Sequence, residues 1–179
     1  MSDENGKRVL QVAALPGYAV EIGRALWMLE DTRRRTKDHL KDLAPSVIDW
    51  RASEADNSIG TLLYHMAAIE LDWLYAEVLE QAVPTELMAL FPHDVREQHG
   101  QLTPVEEGPL ETYVARLDTT RTTLLAAFRP LTLEDFQRLR QLEAYDVSPE
   151  WVLHHLMQHE AEHRGQIIEI RRLAERALA

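Results

Sequence analysis

Cysteine is absent from the 179 residues, which excludes disulfides, thiolate metal sites and a cysteine nucleophile. Glycine is scarce at seven residues. Glycine and proline fall between periodic segments, the pattern of long helices joined by loops. No apolar run approaches the ~18 residues that a membrane span requires, so no membrane association is expected. The opening residues MSDENGKRVL lack the apolar centre of a signal peptide, and the expected location is cytoplasmic. Positive charge is also in deficit. A formal net charge of -11 argues against a nucleic-acid partner, because nothing would neutralise phosphates. The basic clusters RRRTK (33–37) and RR (171–172) are flanked by acids and read as solvated helix faces.

What is present is ordinary for a globular chain: 45% hydrophobic and 27% charged residues. The length suits one domain with a substantial core, spanning residues 1–179. A first helix is expected from about Tyr18 to Leu43, ending before Pro45. A second is capped by Asn57 or Ser58 and carries SIGTLLYHMAAIELDWLYAEVLEQ. Residues 82–108 hold three prolines and read as an irregular excursion, with a short helix at Glu86–Phe91. A third helix starts near Pro109 with LETYVARLDTTRTTLLAAF. Ser148 then caps a fourth, with Pro149 at its first position. The stretch QRLRQLEAYDV is open between strand, short helix and loop, and no other strand pattern stands out. The fold class is all-α, a four-helix bundle.

On a helical wheel of the fourth helix, Val152, His155, Leu156, His159, His163, Gln166, Ile167, Ile170 and Leu173 share one face. Histidines thus lie along the middle of an apolar stripe, with Glu160 at its edge and His154 pointing outward. His159 and His163 are one turn apart, ~6 Å along the axis, so their imidazoles can converge on one ion. The second helix repeats the oddity, since His65 shares its inward face with Leu62, Ala68, Ile69, Asp72, Ala76 and Leu79. An inward histidine is either a hydrogen-bonded core residue or a ligand. Three from two helices would make a three-nitrogen site with open positions, the arrangement of a catalytic metal. His155, one turn before His159, is a fourth ligand, a partner fixing a ligand's tautomer, or packing.

HEAEH (159–163) also matches the H-E-x-x-H pattern of zinc peptidases. That plan needs a third ligand downstream, yet no histidine follows His163 and Gly165 arrives one residue early. The match is read as a coincidence of letters. A di-iron carboxylate bundle fails on counting, because it needs two E-x-x-H motifs and two more glutamates, and only Glu160–His163 supplies the pattern.

With SIGTLLYHMAAIELDWL carrying His65, and HHLMQHEAEHRGQI carrying His159 and His163, the chain resembles the DinB/YfiT-like metalloenzyme superfamily. The resemblance implies a four-helix bundle with one divalent metal held by His65, His159 and His163. It also implies an activity similar to thiol transferases that use bacillithiol or mycothiol, or to thiol-dependent isomerases, and a homodimer. Zinc, nickel, iron and manganese all suit three imidazoles plus water.

The expected function is therefore a metal-dependent S-transferase or hydrolase acting on a small electrophile. The alternative is a non-catalytic, stress-associated bundle whose ion merely stabilises it. A thiol would have to come from a low-molecular-weight cofactor. Such thiols carry carboxylates, so an arginine at the site mouth would help, and Arg33, Arg34 and Arg96 are the candidates. Asp72 and Glu160 are the candidate catalytic carboxylates, each also open to a structural or surface role. Glu70 and Trp73 fall in the IELDWL segment, Trp73 as packing. His93 and His99 in the excursion are either a lid over the site or surface residues.

Overall fold

The computed structural model describes residues 7, 9–95 and 101–179. Four long helices carry the fold: α1 (Val20–Leu40), α3 (Ile59–Trp73, prolonged by a π-helical turn, Leu74–Val78), α5 (Leu110–Phe128) and α7 (Pro149–Ala177). Short helices α2 (Pro45–Ile48), α4 (Thr85–Met88) and α6 (Leu133–Gln137) lie in the connections. The undecided stretch before α7 contains a two-stranded antiparallel hairpin, β1 (Arg140–Gln141) with β2 (Asp146–Val147), in the register Arg140 to Val147 and Gln141 to Asp146. The expected helix at Glu86–Phe91 forms as the shorter α4, which starts one residue earlier and ends three residues earlier. Helix α6 begins at a capping box in which Thr132 Oγ1 accepts from Asp135 N and Asp135 Oδ2 accepts from Thr132 N. Among the described residues no helix is long and apolar enough to cross a membrane.

The helix faces follow from residue spacing. In α1 the buried positions Ile22, Leu26, Leu29, Arg33, Thr36 and Leu40 recur every three or four residues, which is one stripe of a 3.6-residue helix. Helix α3 is buried on nearly every side, because it packs against both α5 and α7, while α1 lies on α7. Gly60 permits that closeness: a Cβ there would come within 2.7 Å of Asp49 Oδ1 and 2.8 Å of the Tyr113 ring.

The core is in two halves. One gathers Leu26, Leu29, Leu71, Leu124, Phe128 and Leu156; the other gathers Leu40, Leu62, Leu63, Tyr113, Leu117 and Ile167. On each long helix one charged residue stands between them: Arg33 on α1, Glu70 on α3, Arg121 on α5 and Glu160 on α7. All four are at most 4% exposed. Arg33 Nε donates to both oxygens of Glu160 (3.0 and 3.1 Å), and its Nη2 donates to Glu70 Oε2 (2.8 Å). Arg121 donates to Glu70 Oε1 and Oε2 (2.9 and 2.8 Å) and to Glu160 Oε2 (3.2 Å). Arg33 Nη1 also donates to the Leu117 carbonyl (2.8 Å), and Arg121 Nη1 to the Leu29 carbonyl (3.2 Å) and to the half-buried Glu30 (2.7 Å). Burial pushes the Glu70 carboxyl up, but the guanidiniums of Arg121 and Arg33 outweigh it and hold it below the ordinary carboxylate range.

Two sequence expectations are corrected here. RRRTK is not wholly a solvated face: Arg34 and Arg35 are exposed and pair with Asp31, whereas Arg33 points into the bundle. Glu160 is not at the edge of the buried stripe of α7 but at its centre, with Leu153, Leu156 and Ile167. The wheel misplaces it because a lone glutamate looks like a solvated residue until two arginines from other helices are seen to meet it.

Candidate metal centre

Ser58 sets the start of α3 by accepting a hydrogen bond from Thr61 N at 3.0 Å. Two turns later the helix delivers His65, 3% exposed, toward α7. Ser148 caps α7 in the same way, accepting from Trp151 N at 3.2 Å, and the half-buried His159 and His163 follow one turn apart. The three imidazoles converge: Nε2 of His159 lies 3.1 Å from Nε2 of His65 and 3.0 Å from Nε2 of His163. One ligand atom from each lies within 4.8 Å of those of the other two.

Hydrogen bonding among the rings does not satisfy this geometry. His163 Nδ1–H donates to Gln166 Oε1 at 2.8 Å, so in the neutral ring its Nε2 is a lone pair aimed at the other two. His159 Nε2 faces a ring nitrogen on each side, that of His65 and that of His163, and as a donor can serve one of them. A cation accepts all three lone pairs at once. Two nitrogens bound at ~2.1 Å and ~90–110° stand about 3.0–3.4 Å apart, which is the spacing of His159 from each of the other two. The donor set therefore fits a divalent transition ion, and Gln166 is the residue that fixes the tautomer of His163.

The cluster opens on a cavity of about 300 Å³ lined also by Ala55, Asn57, Gln101, Leu102 and Gln166. No carboxylate, lysine or arginine lines it among the described residues. The excursion does contribute, through Gln101 and Leu102. Next to it is a hollow of about 610 Å³ that shares Asn57 and Gln166.

The other sequence candidates lie elsewhere. Asp72 is not brought to the histidines. It is exposed and lines a cavity of about 420 Å³ with Ile69, Val83, Phe91 and His93, where desolvation raises its carboxyl above the usual value. Seven residues after His65 the same face of α3 is ~10 Å further along the axis and meets the excursion instead of α7. Glu160 is locked between Arg33 and Arg121 and does not line the histidine cavity. His155 stacks on Trp151 (centroids 5.2 Å apart, 6° between planes) and packs on Trp73 at 4.3 Å; its ring centroid is 5.9 Å from that of His159. Burial lowers its pKa. Trp73 packs as expected, and His154 is exposed. His93 is tied to Tyr64 by two hydrogen bonds, Tyr64 Oη–H to its carbonyl (2.8 Å) and its N–H to Tyr64 Oη (2.9 Å), and lies in the cavity with Asp72.

Neither of the two described candidate arginines is found at the site mouth. Arg33 is in the buried charge layer, and Arg34 pairs with Asp31 and Asp38 on the surface. Arg96 and His99 fall outside the described residues.

Sequence reasoning gave Asn57 only as a cap candidate and Gln166 only as a face residue, and it did not single out Trp50, Glu162 or Gln101. The signal for Gln166 was its place three residues after His163, the i, i+3 spacing at which helix side chains meet.

A family model described as the DinB superfamily matches residues 28–167, which contain all three histidines. Among solved structures, the chain is similar to that described as the crystal structure of the conserved protein of locus from Enterococcus faecalis. The TM-score is 0.63 at 16% identity, covering 84% of this chain and 94% of that one. This likeness concerns the fold. No curated protein matches.

Proposed function

The chain belongs to the DinB superfamily, and on that premise we propose that His65, His159 and His163 hold one divalent transition-metal ion with which the protein acts on a small electrophile. The observation that carries the reading is the convergence of three imidazoles on the wall of an open cavity, with His159 Nε2 3.1 and 3.0 Å from those of His65 and His163 and all three ligand atoms within 4.8 Å of one another. Zinc, nickel, iron or manganese would suit the set. Such an ion supplies Lewis acidity, making a small thiol or a water molecule a nucleophile near neutral pH.

The chain's own residues do the rest. Three neutral imidazoles leave the ion its full charge, and Gln166 keeps His163 in the tautomer that binds. The side-chain amides of Asn57 and Gln101 line the cavity and can hydrogen-bond a polar reactant. Glu160 is not available as a proton acceptor, because two guanidiniums occupy it. A transferred thiol would come from a low-molecular-weight cofactor, since the chain has no cysteine. S-transfer and hydrolysis differ only in that nucleophile. The absence of lysine and arginine from the described cavity walls favours an uncharged or amine-bearing thiol, or water, over one rich in carboxylates. A merely stabilising ion is the weaker reading, because the charge layer and both core halves join the four helices without it.

The test is to load the protein with zinc or nickel and assay it two ways: transfer of cysteamine to 1-chloro-2,4-dinitrobenzene, and hydrolysis of 4-nitrophenyl acetate. Metal-dependent turnover in one assay, lost in His159→Ala, supports the reading. Full metal loading with neither activity, across these and related electrophiles, contradicts it.

A further inference from the structure

The hollow of about 610 Å³ beside the histidines lies between the segment that follows α2 and the second half of α7. Its walls are of two kinds. Trp50, Leu62, Ile170 and Leu173 make an apolar floor, with Leu62 fully buried beneath it. Asp56, Glu162 and Glu169 stand around it, and no lysine or arginine lines it among the described residues. Glu169 is offset by Arg172 through hydrogen bonds of 2.6 and 2.9 Å. Among the described residues Asp56 accepts only the uncharged Ser53 hydroxyl, at 2.7 Å, and neither Asp56 nor Glu162 makes an ion pair with a described lysine or arginine. The opening thus carries net negative charge over an apolar surface.

Gly165 is an independent sign that the hollow is kept open. It sits in the middle of the 29-residue α7, where glycine is the poorest helix former except proline. Neither packing nor backbone demands it: a Cβ there would meet nothing within 4 Å, and its φ is not in the left-handed region. What its missing side chain provides is space, because Gly165 lines the hollow next to Gln166 and two residues from His163.

We propose that this hollow seats the body of the substrate and selects an amphiphilic amine. The apolar chain or ring lies over Trp50, Leu62, Ile170 and Leu173, and the ammonium nitrogen is turned to Asp56 and Glu162. The shared residues Asn57 and Gln166 bring the ligand's other end to the histidines. Its role as substrate rests on the catalytic reading above; its binding does not need the ion. A carboxylate of the same length would be repelled by the two acids and would find no cation.

The test is a ligand-observed NMR titration of the full chain, stripped of metal so that the amine nitrogen cannot be held by coordination, with n-hexylamine, 1-hexanol and hexanoate. Hexylamine is expected to bind about tenfold more tightly than hexanoate. Gly165→Leu, whose side chain fills the hollow, should weaken hexylamine about tenfold or more while its zinc stoichiometry equals that of wild type. In Asp56→Asn/Glu162→Gln the preference for amine over alcohol should disappear. Equal or tighter binding of hexanoate, or an unchanged hexylamine affinity in Gly165→Leu, would overturn the inference and leave the metal reading intact. A chain that holds no metal but keeps the amine preference would instead sink the proposed catalysis alone.

Discussion

Replacing Glu160 with glutamine should destabilise the bundle far more than any change at its exposed neighbour Glu162. Wild type balances two guanidiniums, Arg33 and Arg121, against two carboxylates, Glu70 and Glu160, in a layer where every member is at most 4% exposed. Glu160→Gln keeps the shape and one acceptor oxygen but leaves two buried positive charges facing one negative one. Glu30, 2.7 Å from Arg121 and half-buried, is the only further carboxylate paired with these arginines among the described residues. Breaking a buried pair in this way costs roughly 3–5 kcal/mol. For a domain of this size each kcal/mol moves the midpoint by about 2–4 °C, so Tm should fall by roughly 10 °C. Glu162→Gln on the same helix should stay within about 0.5 kcal/mol. The assay is equilibrium urea unfolding of metal-free protein at pH 7, with matched thermal scans. The double variant Arg33→Met/Glu160→Leu should lose clearly less than the sum of its singles, because it leaves no charge stranded. The pH dependence carries a sign as well. The folded pKa of Glu70 is depressed, so its contribution is fully present above the unfolded carboxylate value of ~4.3 and is lost as pH falls through the lower folded one. A loss below about 1 kcal/mol for Glu160→Gln would refute the claim that this layer is dry and tightly coupled.

Gln166→Ala should weaken zinc binding by about 10–100-fold, because His163 loses the acceptor that fixes its tautomer; competition with a chromophoric chelator measures it. Gly60→Ala should lower Tm markedly, since its Cβ would sit 2.7 Å from Asp49 Oδ1 and 2.8 Å from the Tyr113 ring; a variant as stable as wild type would contradict the close approach of α3 and α5. Burial raises the Glu77 carboxyl, whose Oε1 accepts from Tyr145 Oη at 2.9 Å while Oε2 is buried without a partner. A raised folded pKa means that stability is lost as pH rises from the ordinary carboxylate value through the higher folded one, so Glu77→Gln should gain more in Tm at pH 8 than at pH 4. Ser148→Ala should cost about 1 kcal/mol through loss of the cap on α7, read by urea unfolding.

The long helices were legible because their starts are local chemistry. Ser58 and Ser148 cap within three residues of themselves, and Pro149 fits only a first turn. The histidine set was legible because i, i+4 spacing on α7 and an inward His65 on α3 are properties of single helices. What escaped depended on partners that no single helix reveals. On its own helix Glu160 reads as an edge residue and Arg33 as a solvated one, and each is buried because the other is there. Asp72 shares the face of His65 by periodicity alone, but at its level that face meets the excursion, and it is Trp73 that packs on α7. The hairpin at 140–147 and the turn of α6 are too short for periodicity to register. Gln166 and Gly165 lay in a quoted motif, yet their roles appear only when a ring nitrogen and an open hollow are seen beside them.

The central claim is that His65, His159 and His163 form one metal centre, and elemental analysis with zinc titration tests it most directly. The account predicts about one equivalent of a divalent transition metal in wild type, lost in both His65→Ala and His159→Ala, with the circular dichroism of a folded helical bundle retained in His159→Ala. A wild-type protein that carries no metal and cannot be loaded with zinc or nickel would contradict it, and the three imidazoles would then be a polar cluster of the bundle and nothing more.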